Sequence, residues 1–306
     1  MTIRKTIIII VVSAASLAAV TGFVWPGFLR SPERAGGRLV YQGSVGEGYG
    51  IYSMRADGSD VRRIAVPLGG SVGFPRLSPD GRTLAFIGEA EDDREDLYVA
   101  DTNGRNPRAI AASLNEPEGA PAWSPDGRTI VFSSHRDGNW EIYAIAPDGS
   151  GLKRLTNDPA VEGSPVFSPD GRTIAFSSDR GGGDSHIYFM NPDGSGVRRV
   201  TSGEDESAPD FSPDGRFLSF VGFTSGNADI WVSGVDGRGS RRVTTDETFE
   251  YTPRWSPDGR WIAFEAYVDD DTRVPDVFVV HPDGSARQKL THSGLYAGAP
   301  AWIPSR

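Results

Sequence analysis

The 306-residue chain contains no cysteine. Disulfides, thiolate metal sites, a cysteine nucleophile and a lipid-modified cysteine are all excluded, so the fold must hold by packing alone. Histidine is scarce: His135, His186, His281 and His292 fall at unrelated points, with no metal-ligand spacing. Positive charge is in deficit as well. Thirty-one Lys plus Arg oppose 41 Asp plus Glu, a net charge of −10, and the first 30 residues hold Arg4, Lys5 and Arg30 with no acid. An acidic body repels phosphate backbones and anionic headgroups, which argues against nucleic acid and for a basic protein or peptide, or a cation.

The leading segment is of another kind. Arg4 and Lys5 precede a run that stays apolar or small and uncharged from Ile7 to Trp25, 19 residues. As a helix such a run spans about 28 Å, close to the hydrocarbon thickness of a bilayer. Two readings stand: an uncleaved inner-membrane anchor, or a signal peptide cut after Ala18, where Ser16-Leu17-Ala18 supplies small residues. Either way the basic flank stays cytoplasmic and everything after Arg30 lies outside the membrane. The expected organisation is an export segment over 1–30, a linker over 31–37 and a single domain over 38–306.

That domain is built from repeats. Ser-Pro-Asp-Gly-Arg begins at Ser78, Ser124, Ser168, Ser212 and Ser256, at intervals of 46, 44, 44 and 44. A second turn recurs six times, as Asp57-Gly58, Asn103-Gly104, Asp148-Gly149, Asp193-Gly194, Asp236-Gly237 and Asp283-Gly284. A period of this length with β-rich runs between turns predicts a β-propeller, one four-stranded blade per repeat. In the blade near the middle, strands are expected over 120–123, 128–133, 141–145 and 152–156. In the first turn Pro presets φ, Asp accepts backbone N–H groups and Gly takes the left-handed conformation; Asp-Gly makes a tight hairpin. The six-to-five mismatch has a simple resolution. The first repeat lacks its opening strand, while Ala299-Pro300-Ala301-Trp302 copies Ala120-Pro121-Ala122-Trp123 at the C-terminal end. The fold class expected is therefore all-β: a six-bladed β-propeller closed by the C-terminal strand and preceded by an N-terminal hydrophobic helix. Closure removes the open sheet edges.

Repeats of the form Pro-x-Trp/Phe-Ser-Pro-Asp-Gly-Arg, then Phe-Ser-Ser, Ile-Tyr, Asp-Gly and Arg-Leu-Thr, resemble the TolB-type propeller repeat, a WD40-like repeat, over residues 38–306. The resemblance implies an extracytoplasmic protein of the bacterial cell envelope whose propeller engages a partner protein. The same repeat type also occurs in the propellers of prolyl-oligopeptidase-like peptidases. The α/β domain that precedes the propeller in TolB itself is not expected here, where about seven linker residues lie between Arg30 and Arg38.

In such a fold the A–B and C–D turns share one face and the B–C and D–A loops the other. The first face repeats two motifs. The second carries dissimilar loops, 43–50, 89–96, 135–140, 179–186, 223–229 and 268–276, and rigid scaffolds place function on such loops. Partner contacts are expected from Glu91, Asp92 and Asp93, from His135 and Arg136, and from Asp269, Asp270 and Asp271. One position on that face repeats: Glu118, Glu162, Glu206 and Glu250, 44 residues apart, with Val72 and Ala297 at the equivalent places. These glutamates read as a crescent at the channel mouth. They either hold a hard cation such as calcium or the basic tip of a partner, or each caps a strand or pairs with an Arg or backbone N–H of the neighbouring blade.

Catalytic signals are weak. Gly69-Gly70-Ser71-Val72-Gly73 matches a nucleophile-elbow pattern, but it leads into a propeller strand rather than from a strand into a helix. The expected function is thus a non-catalytic, monomeric, protein- or peptide-binding scaffold with no cofactor beyond calcium. The alternative is a glycan-processing lyase or hydrolase that uses the four channel glutamates as acid and base.

Overall fold

A computed structural model describes residues 35–45, 48–89, 95–111, 119–267, 274–292 and 294–304. Among them, 24 strands form six four-stranded antiparallel sheets. The chain runs through β1 (Arg38–Val45), β2 (Gly48–Arg55) and β3 (Arg62–Ile64) before the first complete blade, β4 (Val72–Leu77), β5 (Thr83–Glu89), β6 (Glu95–Asp101) and β7 (Arg108–Ala109). Three blades follow: β8 (Ala122–Trp123), β9 (Ile130–Ser134), β10 (Glu141–Ile145) and β11 (Lys153–Arg154); β12 (Glu162–Phe167), β13 (Ile174–Ser178), β14 (His186–Met190) and β15 (Arg198–Arg199); β16 (Glu206–Phe211), β17 (Phe217–Thr224), β18 (Asn227–Gly234) and β19 (Arg241–Arg242). The last complete blade is β20 (Phe249–Trp255), β21 (Ile262–Tyr267), β22 (Asp276–Val280) and β23 (Gln288–Lys289). Then β24 (Ala297–Trp302) returns to pair with β1, Leu39 opposite Trp302 and Gly43 opposite Ala297. The ring closes through its C-terminal strand, as the repeat count implied.

The opening strands β4, β8, β12, β16, β20 and β24 contact one another in sequence around the centre. The closing strands, two or three residues long, form the outer edge. Each blade centres on a second-strand aromatic: Phe86, Phe132, Phe176, Phe220 and Phe264, all fully buried, with Tyr41 in the closure blade. Cross-strand aromatics sit opposite, Phe86 to Tyr98 at 5.6 Å, Phe176 to Tyr188 at 6.0 Å and Phe264 to Phe278 at 5.7 Å between ring centroids. Apolar clusters lie between neighbouring sheets, so each blade buries its faces against the two beside it.

The motifs have local causes. In the first turn Ser124 Oγ donates to Asp126 Oδ1 at 2.6 Å, that oxygen also accepts from the Arg128 N–H, and Gly127 takes φ +69°. In Arg-Leu-Thr the Thr156 hydroxyl accepts from the Ile142 N–H at 2.8 Å, tying the short edge strand to the third strand; Thr201, Thr244 and Thr291 repeat the bond. One expected loop is regular. Residues 223–229 continue the β17–β18 ladder, Phe223 opposite Ala228 and Thr224 opposite Asn227, because Ser225 and Gly226 both take positive φ and make a two-residue hairpin. Residues 1–30, expected to hold a hydrophobic helix, lie outside the described residues; among those described, no helix is long and apolar enough to cross a membrane.

Candidate functional site

Glu162 and Glu206 open the first strands of their blades, and Glu250 is the second residue of its own. Glu162, Glu206 and Glu250 are all buried, whereas Glu118 lies outside the described residues. Glu162 accepts from Arg180 Nη2 at 2.7 Å and from the Ser178 hydroxyl at 2.8 Å. Glu250 accepts from Arg287 Nη2 at 3.0 Å. Glu206 faces His186 of the preceding blade at 3.3 Å. The main-chain N–H groups of Glu162 and Glu206 donate to the preceding blade, to the carbonyls of Trp140 and Ser185.

A second acidic position runs beside the first, and sequence reasoning missed it. Near the start of the third strand stand Asp96, Glu141, Asp229 and Asp276, with His186 in the fourth blade. There the basic residue of the Arg-Leu-Thr motif supplies the counter-charge: Arg154 to Glu141 at 2.6 Å, Arg242 to Asp229 at 2.6 Å and Lys289 to Asp276 at 2.5 Å. One oxygen each of Glu141, Glu162, Asp229 and Glu250 accepts no hydrogen bond. Burial accordingly pushes the carboxyls of Glu162 and Asp229 up, with the Glu141 charge adding to the first. Glu250 is pushed up to about 7, chiefly by burial, against the pull of Arg287. No three acidic or histidine side chains among the described residues converge in metal-binding geometry.

Of the expected loop contacts, Glu91, Asp92, Asp93, Asp269, Asp270 and Asp271 lie outside the described residues. His135 packs edge-on against Trp140. The Arg136 guanidinium lies over the Phe132 and Tyr143 rings and donates to the Ala111 carbonyl at 3.1 Å. The same face carries an aromatic cluster where the crescent is interrupted. Tyr49 meets Tyr296 edge-on at 4.9 Å and Tyr251 meets Tyr267 at 6.0 Å. Phe249, 41% exposed, sits opposite Tyr267 in the ladder, and Leu295, 55% exposed, flanks Tyr296. Burial and the nearby Glu265 carboxylate push the hydroxyls of Tyr251, Tyr267 and Tyr296 up.

The open space at the ring's centre lies elsewhere. A cavity of about 390 Å³ is lined by residues of every blade, with Arg76, Ala122, Val166, Asp210, Arg254 and Ala301 at equivalent positions. Each directly follows the proline of its first strand, in Pro-x-Trp/Phe for five blades and in Pro75-Arg76-Leu77 for the other. In five blades a left-handed residue precedes the proline (Phe74, Ser164, Ala208, Thr252 and Ala299, φ 48° to 54°), and the ladder shifts register there. A bulge of this kind re-aims the residues that follow. Trp123, Trp255 and Trp302 join the lining, and Pro79, Pro257 and Pro304 place it toward the Ser-Pro-Asp-Gly turns. The indole N–H of Trp123 donates to the Arg76 carbonyl at 3.2 Å, and that of Trp302 to the Arg254 carbonyl at 3.0 Å, each reaching the preceding blade. The signal available in the sequence was the position after the proline, which ranges from Ala and Val to Asp and Arg while the next residue stays large and apolar.

A family model described as the TolB beta propeller domain matches residues 36–207 and 203–306. The chain belongs to the TolB β-propeller family. The structure is similar to that of TolB from Acinetobacter baumannii (TM-score 0.75, 25% identity, 88% of this chain and 67% of that one). It is also similar to a putative TolB from Agrobacterium tumefaciens (TM-score 0.61, 25% identity, 72% and 83%). An oligogalacturonate lyase solved with manganese shares the fold at 15% identity (TM-score 0.59, 85% and 77%). No curated protein matches.

Proposed function

We propose that this TolB-family propeller is a non-catalytic binding scaffold of the cell envelope, exported by residues 1–30, that takes a basic protein or peptide on its D–A and B–C face. The aromatic cluster carries the reading. Tyr49, Phe249 and Leu295 are solvent-exposed at the closure sector, and large exposed apolar side chains grouped on one face are characteristic of protein contacts. Exposed Asp184, Glu204, Asp246 and Glu247 surround that face with negative charge, while Arg154, Arg180, Arg242 and Arg287 are each tied to a carboxylate. A basic partner complements this pattern. Burial of Glu162 and Glu250 under arginine supports binding over carboxylate-catalysed glycan cleavage, because a general acid must reach its substrate. The run from Ile7 to Trp25 supports export, and the acidic body supports a partner other than nucleic acid.

The test compares wild type with Phe249→Ser/Leu295→Ser in crosslinking and pull-down from envelope extracts at low and high salt. The expected result is a partner recovered by wild type, lost in the double variant and weakened by salt. Equal recovery by both proteins overturns the aromatic assignment, and salt-insensitive recovery overturns the electrostatic one.

A further inference from the structure

The central cavity holds two cations whose hydrogen-bonding capacity is largely unspent. Arg76 Nη1 donates to the Pro75 carbonyl at 2.9 Å and Arg254 Nη1 to the Pro253 carbonyl at 2.8 Å, the same anchor in two blades. A guanidinium carries five N–H donors in a planar fork, so most of each fork remains available to the cavity it lines. Among the described residues no carboxylate lies within 4.0 Å of either guanidinium, in contrast to Arg154, Arg180, Arg242 and Arg287 on the opposite face at 2.6 to 3.0 Å. The two nearby acids each have one oxygen engaged by main chain: Asp210 Oδ2 accepts from the Trp255 N–H at 2.8 Å and Glu265 Oε2 from the Ala299 N–H at 2.7 Å. They offset the charge of the arginines without occupying their forks. Burial lowers the pKa of both arginines, and the Arg254 charge lowers that of Arg76 further, so an anion placed between them relieves a cost that the fold carries. The walls have a different character. Ala122, Val166 and Ala301 leave room at the remaining ring positions, and three tryptophans line the cavity, two of them held by their indole bonds. Space of about 390 Å³ falls within the range of small-ligand sites.

We propose that this cavity binds a carboxylate carried beside a flat apolar group, Arg76 and Arg254 taking the carboxylate and the tryptophan walls the apolar part. A free aromatic acid and the C-terminal residue of a peptide share this chemistry. The site faces away from the aromatic cluster, so it stands or falls independently of the partner-binding proposal.

The experiment titrates the purified propeller with three probes: N-acetyl-L-phenylalanine, its primary amide, and an octapeptide ending in phenylalanine with a free carboxylate. Binding is read by tryptophan fluorescence and calorimetry. The expected result is saturable binding of the acid at least tenfold tighter than of the amide. Tighter binding of the peptide than of the acid supports capture of a C-terminus, and the reverse order supports a free acid. Arg76→Met and Arg254→Met, checked for native melting, each weaken the acid at least tenfold and leave the amide unchanged, while Asp210→Asn binds as tightly as wild type or more so. Equal affinity for acid and amide overturns the proposal, as does the lack of saturable binding of both carboxylate probes up to about 10 mM. The acid-to-amide comparison on the wild-type chain needs no variant, so a folding defect in the arginine mutants leaves the proposal open to refutation.

Discussion

Replacing Trp302 with alanine tests the closure of the ring, since this is the largest side chain that the last strand packs beside the first. Trp302 is 8% exposed, pairs in register with Leu39, and packs in one cluster with Leu39, Met54 and Trp261, which brings the two ends of the propeller and the sixth blade together. Buried Trp-to-Ala truncations cost about 3 to 5 kcal/mol, because the lost transfer free energy is joined by a cavity that rigid sheets cannot fill. Of that, the indole bond to the Arg254 carbonyl at 3.0 Å accounts for ~1 kcal/mol. Trp302→Phe, which keeps much of the ring and loses the N–H, should therefore cost roughly 1 to 2 kcal/mol, nearer the hydrogen-bond contribution than the full truncation. For a domain of this size each kcal/mol moves the melting temperature by about 2 to 4 °C, so the alanine variant should melt roughly 6 to 20 °C below wild type. Differential scanning calorimetry at one pH and scan rate decides it. An alanine variant that melts within about 3 °C of wild type refutes the claim that the C-terminal strand holds the ring shut. Deleting residues 297–306 extends the same test, since an unpaired β1 edge should appear as aggregation.

Two further outcomes follow from the buried charges and the turns. Glu250 has a folded pKa of about 7, above its unfolded value, so the folded state binds more protons than the unfolded one between about pH 4.5 and 7, and stability falls as pH rises through that window. Glu250→Gln, a neutral isostere, should thus raise the melting temperature relative to wild type more at pH 8 than at pH 5, and a pH-independent difference would count against the burial argument. Gly259 and Gly284 both have positive φ, but a Cβ on Gly259 meets nothing nearer than the Pro213 ring at 3.6 Å, whereas one on Gly284 meets the Val243 main-chain oxygen at 2.7 Å. Gly259→Ala should cost about 1 kcal/mol of backbone strain alone, and Gly284→Ala clearly more, because a backbone atom must move; equal costs in chemical denaturation would show that the steric reading is wrong.

The sequence alone determined the ring. A motif repeated at intervals of 44 to 46 residues fixes where each chain reversal falls, because Ser, Pro, Asp and Gly each satisfy a local condition of the turn, and local conditions can be read without knowing the fold. The closing strand was legible for the same reason: Ala299 to Trp302 repeats Ala120 to Trp123, and an unpaired first strand demands a partner. The candidate sites were not legible in this way. Glu162 and Glu250 announce themselves by their spacing, yet only packing decides that each is buried against an arginine, Arg180 or Arg287, that is 18 or 37 residues away. The hairpin at Ser225-Gly226 reads as loop in the sequence because the turn itself belongs to neither repeated motif. Arg76 and Arg254 are far apart in the chain and unremarkable in composition. Closure of six sheets around one axis, with a bulge that re-aims the residues after Pro75 and Pro253, brings them into a single cavity, and that convergence is a property of tertiary geometry that no local rule encodes.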